Sequence, residues 1–175
     1  KWYRKAALQN HAEGQGSLGA AYYAGLGVKQ DFKEAKRWIQ KSADQGYAHA
    51  QVILGTFYLE GAGVKKDHKE AAKWNQKAAS QGLPLGQYLL GKNYEYGEGV
   101  PQNTKEAMNW YRKAAEQGYV NAQFDLGYIY ANGLGIERDF KEAKKWYQKA
   151  AEQGDAEAQS KLQFLLKEHP ELRED

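Results

Sequence analysis

Apolar side chains recur along this chain with the spacing of an α-helix, inside a longer repeat. Leu54 and Tyr58 stand four residues apart, so a helix would place both side chains on one face. The same residue types return 36 residues later as Leu90 and Tyr94. The pattern predicts one such helix in each repeat, called helix A here. The predicted A helices lie near residues 11–24, 47–60, 83–96, 119–132 and 155–168.

A pair of glycines follows each of the first four A helices. Glycine enters the left-handed conformation that closes a helix at little cost, so the pairs are predicted to form turns. Nucleotide-binding loops also contain Gly-x-Gly, but here the pair follows a helix rather than a strand and the third glycine of that motif is missing. The turn is therefore the preferred interpretation. The pairs are Gly25 and Gly27, Gly61 and Gly63, Gly97 and Gly99, and Gly133 and Gly135.

A second helix, called helix B here, is predicted to start after each turn and to end at a Gln-Gly pair such as Gln45-Gly46. Its start has the form of a capping box, in which the first side chain accepts from a helix amide and a later glutamate reaches back to the first residue's own amide. Paired catalytic carboxylates are the alternative, but four copies at one position of the repeat favour caps. The pairs are Asp31 and Glu34, Asp67 and Glu70, Asn103 and Glu106, and Asp139 and Glu142.

The five tryptophans are spaced evenly, 36 residues apart. They are Trp2, Trp38, Trp74, Trp110 and Trp146. Even spacing without insertion or deletion indicates one structural unit copied in tandem, as in a solenoid. Glycine also recurs in the middle of helix A, where it costs about 1 kcal/mol relative to alanine, so its recurrence predicts a close approach of helices A and B. The tryptophans are therefore interpreted as packing between helices rather than as ligand-binding rings.

Residues 1–175 are predicted to form a single repeat domain. Its parts are a partial helix B at 1–10, four repeats at 11–46, 47–82, 83–118 and 119–154, and a C-terminal capping half-repeat at 155–175. The capping part has His169-Pro170-Glu171 in place of the glycine pair, and no helix B is expected after it. Because residues 1–7 closely match residues 145–151, the chain opens partway through a repeat. We therefore expect it to be a fragment or to have lost upstream residues.

Composition argues against several classes of function. The 25 basic and 22 acidic residues give a net charge of +3, which is too balanced to indicate nucleic-acid binding. There is no cysteine for disulfides or thiolate chemistry, and no apolar run approaches the ~18–20 residues of a membrane span. The four histidines lie far apart in sequence, without metal-ligand spacing. No catalytic, metal-binding or cofactor-binding residue is therefore predicted.

Several short motifs recur at fixed positions of the repeat. They are Leu-Gly-x-x-Tyr at 54–58, 90–94 and 126–130, Gly-x-Gly-Val at 61–64 and 97–100, Lys-Glu-Ala at 69–71, Trp-x-x-Lys-Ala-Ala-x-Gln-Gly at 74–82 and Ala-Glu-Ala-Gln at 156–159. This unit resembles the Sel-1-like repeat, a relative of the tetratricopeptide repeat. The resemblance implies an all-α fold, a right-handed α-solenoid (superhelix) of antiparallel helix pairs with 36-residue repeats and with A helices lining the concave side. It also implies a non-catalytic scaffold or adaptor for other proteins, a role frequent in bacteria.

Two other functions stay open. Many bacterial members of that family carry a cysteine pair in each repeat, and some of those are associated with β-lactam binding or hydrolysis. This chain has no cysteine, and none of its serines begins a Ser-x-x-Lys motif, so both observations argue against that chemistry. The other open function is a structural spacer within a longer protein.

The candidate partner-binding residues are those that vary between repeats on helix A, because residues held constant serve packing. Steps of three and four keep them on one stripe of the helix. The predicted concave-groove residues are Tyr23, Val52, Leu59, Tyr88, Lys92, Glu95, Tyr96, Phe124 and Tyr128. Aromatic rings are enriched among interface anchors. Four rings of this set are expected to lie close together, namely Tyr88, Tyr96, Phe124 and Tyr128. The alternative is that some of them pack against a neighbouring A helix. Phe57 and Ile129 are assigned to the core.

The expected partner is another protein or a peptide. No nucleic acid, membrane insertion, metal or cofactor is expected, and the chain is expected to be a monomer. The lysine-rich B helices could meet an anionic surface, but interspersed glutamates favour a solvated outer face. The compartment is left open between the cytoplasm and the bacterial periplasm or the exterior.

Overall fold

The computed structural model describes residue 7 and residues 10–173 of the chain. The predicted partial helix B at 1–10 therefore lies almost wholly outside the described residues. The described part forms nine α-helices of 13 residues, one short 3-10 helix and no strand, as predicted for an all-α fold. The helices are α1 (Ala12–Ala24), α2 (Phe32–Asp44), α3 (Ala48–Glu60), α4 (His68–Ser80), α5 (Pro84–Tyr96), α6 (Thr104–Glu116), α7 (Val120–Asn132), α8 (Phe140–Glu152) and α9 (Ala156–Glu168), and the 3-10 helix is Pro170–Arg173.

The helices belong to two compact units, one ending at Gln102 and the other beginning at Asn103. In the first unit consecutive helices from α1 to α5 pack on each other. In the second unit consecutive helices from α6 to α9 do the same. Odd-numbered helices are the predicted A helices and even-numbered helices are the predicted B helices. Packing of consecutive helices is the arrangement predicted from the 36-residue repeat.

The predicted helix ranges agree with the structure to within a residue. Each A range began one position early, because it included the N-capping residue, for example Tyr47 before α3. Pro84 is the first residue of α5, where the missing proline N–H has no helical partner to lose. The B helices begin after their predicted caps, and Asp67 Oδ1 accepts from the amides of Lys69 at 2.9 Å and Glu70 at 3.1 Å. The capping prediction is confirmed in this respect.

The second half of the predicted capping box is wrong. The amide of Asp67 donates to the carbonyl of Tyr58 at 2.9 Å, near the end of the preceding A helix. The last carbonyls of a helix have no partner within it, so this bond satisfies one group on each helix. The glutamate carboxylate instead accepts a hydrogen bond from the tryptophan one turn later, and Trp146 Nε1 donates to Glu142 Oε2 at 3.0 Å. The equivalent bonds in the first repeat join Asp31 to Tyr22 and Trp38 to Glu34.

The glycine pairs form the predicted turns. Gly61 has a φ of 79° and donates its N–H to the carbonyl of Phe57 at 2.8 Å, which closes α3. Gly63 has a φ of 70°, and a Cβ at this position would run into the backbone carbonyl of Phe32. The second glycine is thus required for both its conformation and the room it leaves.

Small residues let helices A and B approach closely, as predicted. A Cβ on Gly55 of α3 would lie 2.7 Å from the side-chain oxygen of Asn75 on α4. A Cβ on Gly127 of α7 would lie 2.6 Å from the Tyr147 ring on α8. The constant alanines and leucines of the repeat are buried beside these positions, and Phe57 and Ile129 are also buried, as assigned. Of the tryptophans in the described part, Trp74 and Trp146 are buried, whereas Trp38 and Trp110 are partly exposed.

A buried glutamine occupies the same position of the repeat in each of α1, α3, α5 and α7. Gln51 donates to the carbonyl of Ala43 at 3.3 Å, and its side-chain oxygen accepts from Gln81 at 2.8 Å. The same bridge links Gln45 to Gln15 and Gln153 to Gln123, each at 2.7 Å. These amides satisfy one another and the end of the preceding B helix, so a polar side chain can occupy a core position.

The last helix ends the array in the described part of the chain. Helix α9 packs on α8, and the 3-10 helix after it buries Leu172. The carbonyl of Leu172 accepts from Lys144 Nζ on α8 at 2.6 Å. The segment beginning at His169-Pro170 therefore folds back on the last helix pair, where earlier repeats continue into a helix B.

Candidate binding surface on the A helices

In the first unit, Tyr23 is more a packing residue than an open binding ring. Its ring stacks on Phe57 with centroids 5.2 Å apart and meets Phe32 edge-on at 5.5 Å. Its hydroxyl donates to Glu60 Oε2 at 3.1 Å, which joins α1 to α3. This hydrogen bond to a carboxylate raises the pKa of Tyr23 above its usual value. The hydroxyl edge remains at the surface, while the ring belongs to the contact between successive A helices.

Val52 does not offer its side chain to a partner. It was predicted to face the groove, but only 5% of it is exposed. Val52 and Gly55 are three residues apart and share a helical face, and Gly55 is the point at which α3 approaches α4. The prediction is therefore wrong for Val52. Leu59, one residue before the end of α3, is partly exposed.

Helix α5 brings four of the predicted residues together. Lys92 Nζ lies 5.5 Å from the ring centroids of both Tyr88 and Tyr96, one turn before and one turn after it. The same ammonium pairs with Glu95 Oε2 at 3.1 Å. Tyr96 is 62% exposed, which is unusual for a ring of its size in a folded chain. The resulting α5 patch (Tyr88, Lys92, Glu95 and Tyr96) is an ordered surface of two rings around one charge pair.

In the second unit, Phe124 and Tyr128 stand one turn apart on α7 and differ in exposure. Phe124 is partly buried, and its ring centroid lies 5.8 Å from that of Tyr147 on α8. Tyr128 is 43% exposed. Phe124 thus contributes to packing as well as to the surface, and Tyr128 is the open ring of the pair. That these two rings form one cluster with those of α5 stays a prediction.

A pocket in the second unit was missed from the sequence. This α7–α9 pocket, formed by α7, α8 and α9, has a volume of ≈ 330 Å³. Its walls include Tyr128 from α7, Arg138 from the loop before α8, Phe140 at the start of α8, and Lys161 and Phe164 from α9. Phe164 is 64% exposed and occupies the same position of the repeat as Tyr128. Two aromatic residues at one variable position were the available signal, but only the fold shows that the loop before α8 completes the pocket.

The B helices present lysines stacked on tryptophans. Lys77 Nζ lies 3.7 Å from the ring centroid of Trp74, and Lys113 lies 4.0 Å from that of Trp110. Lys41 on Trp38 and Lys149 on Trp146 repeat the contact at 4.9 and 4.8 Å. Each lysine follows its tryptophan by three residues, and such contacts contribute about 0.5–1 kcal/mol at exposed sites. These lysines stabilise the fold, which favours the solvated-face interpretation of helix B.

Neither a metal site nor a membrane-spanning helix occurs in the described part of the chain. Within residue 7 and residues 10–173, no three His, Asp or Glu side chains are grouped so that they could hold a metal ion. No helix among these residues has the length and apolar character needed to cross a bilayer.

Helix pairs joined by paired-glycine turns and repeated in register define an α-solenoid repeat protein. The Sel1 repeat model matches residues 1–11, 12–47, 48–83, 84–119 and 120–155. The chain therefore belongs to the Sel1 repeat family, as its motifs indicated. Each matched repeat begins one residue later than the boundary predicted from the sequence. Sel1 repeat proteins are generally protein-interaction scaffolds and generally non-catalytic.

Solved structures agree with this assignment. The chain is similar to c5321, a protective antigen of uropathogenic Escherichia coli with an SLR fold, at 43% identity and a TM-score of 0.88, over 92% of this chain and 34% of that one. It is similar to a Sel1 repeat protein from Oxalobacter formigenes at 39% identity and a TM-score of 0.83, over 87% of this chain and 62% of that one. These matches confirm the predicted α-solenoid fold. The chain spans only about a third of the first protein and less than two thirds of the second.

A more distant relative differs from this chain in cysteine content. Helicobacter pylori cysteine rich protein B matches at 29% identity and a TM-score of 0.56, over 69% of this chain and 86% of that one. The present chain has no cysteine at all. No curated protein matches the chain.

Proposed function

We propose that this chain is a non-catalytic scaffold that binds another protein or a peptide along its A helices. The observation that carries the proposal is the exposure of Tyr96 on α5 and Tyr128 on α7. Both are large rings at positions of helix A that vary between repeats, whereas the leucine that recurs in these helices is buried as Leu54, Leu90 and Leu126. Exposed rings of this kind are the side chains that most often anchor protein interfaces.

The α5 patch supports a role in orienting a partner. Tyr88 and Tyr96 hold the Lys92 ammonium between them, and Glu95 pairs with it, so the charge is fixed in place before a partner arrives. A preorganised charge loses less side-chain entropy on binding than a mobile one. We assign Leu59 to the edge of this surface and the hydroxyl of Tyr23 to its far end.

In the second unit we assign Tyr128 the anchoring role and Phe124 a supporting one. Phe124 packs partly on Tyr147, so its contribution to a partner would be the outer edge of the ring. The scaffold is proposed to work as a monomer, without metal or cofactor and without nucleic acid. The charge balance of 25 basic to 22 acidic residues supports the last point.

The test is a binding measurement on an identified partner. The partner would be isolated on the immobilised chain from the producing organism, identified by mass spectrometry and purified, and its Kd measured by calorimetry. Tyr96→Ala and Tyr128→Ala should each weaken binding by about tenfold or more, as anchors in interfaces do. Leu26→Ala is the matched control, since Leu26 is 71% exposed but lies in the turn after α1. An unchanged Kd for both tyrosine variants would remove the A-helix surface from the proposal.

The non-catalytic part has its own test. Purified chain would be incubated with the chromogenic β-lactam nitrocefin, and hydrolysis followed by absorbance. Turnover above the buffer rate by pure protein would contradict the proposal and restore the hydrolase alternative. A chain that retains no partner in any extract would instead favour the spacer alternative.

A further inference from the structure

We infer that the α7–α9 pocket takes a large apolar side chain of the partner that stands next to an acidic residue. The inference rests on the proposed function, because it assumes a peptide partner, and it adds which chemistry one part of the chain would select. All the residues that line this pocket belong to the second unit.

The pocket has an apolar base and aromatic walls. Its volume of ≈ 330 Å³ is at the small end of the range of about 300–1,000 Å³ for ligand pockets, so it suits one side chain rather than a folded element. Leu165 and Tyr147 are buried at its base. Tyr128 and Phe164 stand at its rim with large exposed areas, so an inserted ring would cover apolar surface that is open to water in the free chain.

A third wall is held rigidly by stacking. The rings of Phe140 and His169 stack with centroids 3.9 Å apart and planes inclined by 30°. His169 Nδ1 is also 3.2 Å from Glu171 Oε1, so its ring is fixed from two sides. The wall connects the start of α8 with the end of α9, and its order lowers the entropy cost of binding.

Two cations beside the pocket have no ion-pair partner within residue 7 and residues 10–173. The aliphatic part of Arg138 packs closely over Gly133, where an added Cβ would lie only 2.8 Å from Arg138 Cγ. Lys161 projects from α9 into the pocket lining and is exposed. Glu157 stands four residues earlier on the same helix, yet no ion pair forms between the two. Both cations are therefore available to a carboxylate of the occupant.

One acidic residue, Glu168, also lines the pocket, and it does not cancel this charge. It follows Lys161 by seven residues, which is about 10 Å along the axis of α9 and comparable with the Debye length at physiological salt. Among the residues that line the pocket, the two cations outnumber the one carboxylate, and the nearby Glu171, which is not part of the lining, contacts the His169 ring. The planar guanidinium of Arg138 suits a carboxylate, because it can donate two parallel hydrogen bonds to it. An acidic residue next to the inserted ring would place its carboxylate beside this group.

The test uses a capped peptide with the proposed chemistry, acetyl-Gly-Asp-Phe-Asp-Gly-amide. It would be titrated into the full chain and followed by amide chemical shifts. Two matched peptides carry lysine in place of both aspartates or alanine in place of phenylalanine. We expect shifts centred on Tyr128, Lys161 and Phe164, and binding at least about tenfold weaker for either matched peptide.

Variants of the chain complete the test. Phe164→Ala and Lys161→Glu should each weaken binding of the acidic peptide by about tenfold. Lys161→Glu should also reduce the ratio between the Kd of the lysine peptide and the Kd of the acidic peptide. Lys167→Glu is the control, since it makes the same charge change on the same helix at a residue that does not line the pocket. Equal binding of the two charged peptides, or the absence of shifts around the pocket, would overturn the inference.

The two proposals fail separately. If Tyr96→Ala weakens the natural partner but the acidic peptide does not bind, the scaffold proposal stands and the pocket inference is wrong. If the peptide binds as described while no A-helix variant alters a partner's Kd, the pocket inference stands and the broader groove proposal is wrong.

Discussion

Asn75 on α4 donates its side-chain amide to the side-chain oxygen of Asn93 on α5 at 2.9 Å, and the two residues are only 1% and 2% exposed. Asn93 donates in turn to the carbonyl of Glu98 at 3.1 Å. The side-chain oxygen of Asn75 has no hydrogen-bond partner, although it is buried. The contact between these two helices therefore depends on an incompletely satisfied polar pair in the core.

We expect the double variant Asn75→Ile with Asn93→Phe to stabilise the chain. The equivalent positions one repeat earlier are Ile39 and Phe57, which belong to one buried apolar cluster. Replacing both members of a buried polar pair by apolar residues is often neutral or stabilising, whereas removing one leaves the other unsatisfied at a cost of about 1–3 kcal/mol. Urea denaturation followed by circular dichroism would measure the free energy of unfolding.

Asn75→Ile alone is the matched control, and it should be less stable than the original chain because Asn93 loses a donor. A double variant less stable than this single variant would show that the pair contributes more than its hydrogen bond and would contradict the prediction.

The repeat predicts where these asparagines lie but not why both are tolerated. Asn75 takes a position held by Ile39, Tyr111 and Tyr147 elsewhere, so the pattern predicts a core residue there. In the sequence each asparagine is an exception to the apolar pattern, because the other asparagine of the pair lies 18 residues away on another helix. Periodicity reports the face of a helix, and it carries no information on which residue of the next helix is opposite.

The same limit explains the other differences between prediction and structure. Helix ends, turns and close approaches depend on local sequence and were predicted. Three features depend instead on contacts between segments and were not predicted. They are the burial of Val52, the carbonyl that accepts from the capping-residue amide, and the α7–α9 pocket. Arg138 lines that pocket because a turn brings it back over Gly133, which no spacing along one helix reveals.

Gly63→Ala should destabilise the chain more than Gly27→Ala. Both glycines have a φ of 70°, so alanine pays the same conformational cost of roughly 1–2 kcal/mol at each. A Cβ at Gly27 meets nothing within 4 Å, whereas at Gly63 it meets the backbone of Phe32. Thermal unfolding of the two variants would measure the difference. Equal losses would mean that the turn moves away from Phe32 at no cost.

Trp74→Ala should cost about 3–5 kcal/mol of stability through the cavity it leaves in the core. Trp38→Ala should cost less, because its ring is already partly exposed at the same position of the repeat. Both variants lose a lysine stacked on the ring, so that contribution is common to the pair. Chemical denaturation of both variants gives the comparison, and a larger loss at Trp38 would contradict it.

Gln81→Ala should destabilise the chain by about 1–3 kcal/mol although Gln81 itself is exposed. Its side chain donates to the side-chain oxygen of the buried Gln51 at 2.8 Å, and that buried oxygen would lose this bond in the variant. Gln76→Ala on α4 is the control, since Gln76 is also exposed and its side chain makes no hydrogen bond to Gln51. A free energy of unfolding equal for the two variants would show that water replaces the bridge.

Tyr147 makes the stability of the second unit sensitive to alkaline pH. Its ring is buried between α7 and α8, and burial raises the pKa of its hydroxyl above the ordinary value of 10.0, with further contributions from Tyr128, Glu157 and Asp125. The folded chain therefore keeps this proton at a pH where the unfolded chain loses it, so the stabilisation is complete below pH 10 and declines above it. One such group lowers the free energy of unfolding by about 1.4 kcal/mol per pH unit in that range. Tyr147→Phe should reduce the slope measured by urea denaturation between about pH 10 and 11, while Tyr96→Phe, on an exposed ring, should retain it. An unchanged slope in Tyr147→Phe would mean that other groups carry the alkaline transition.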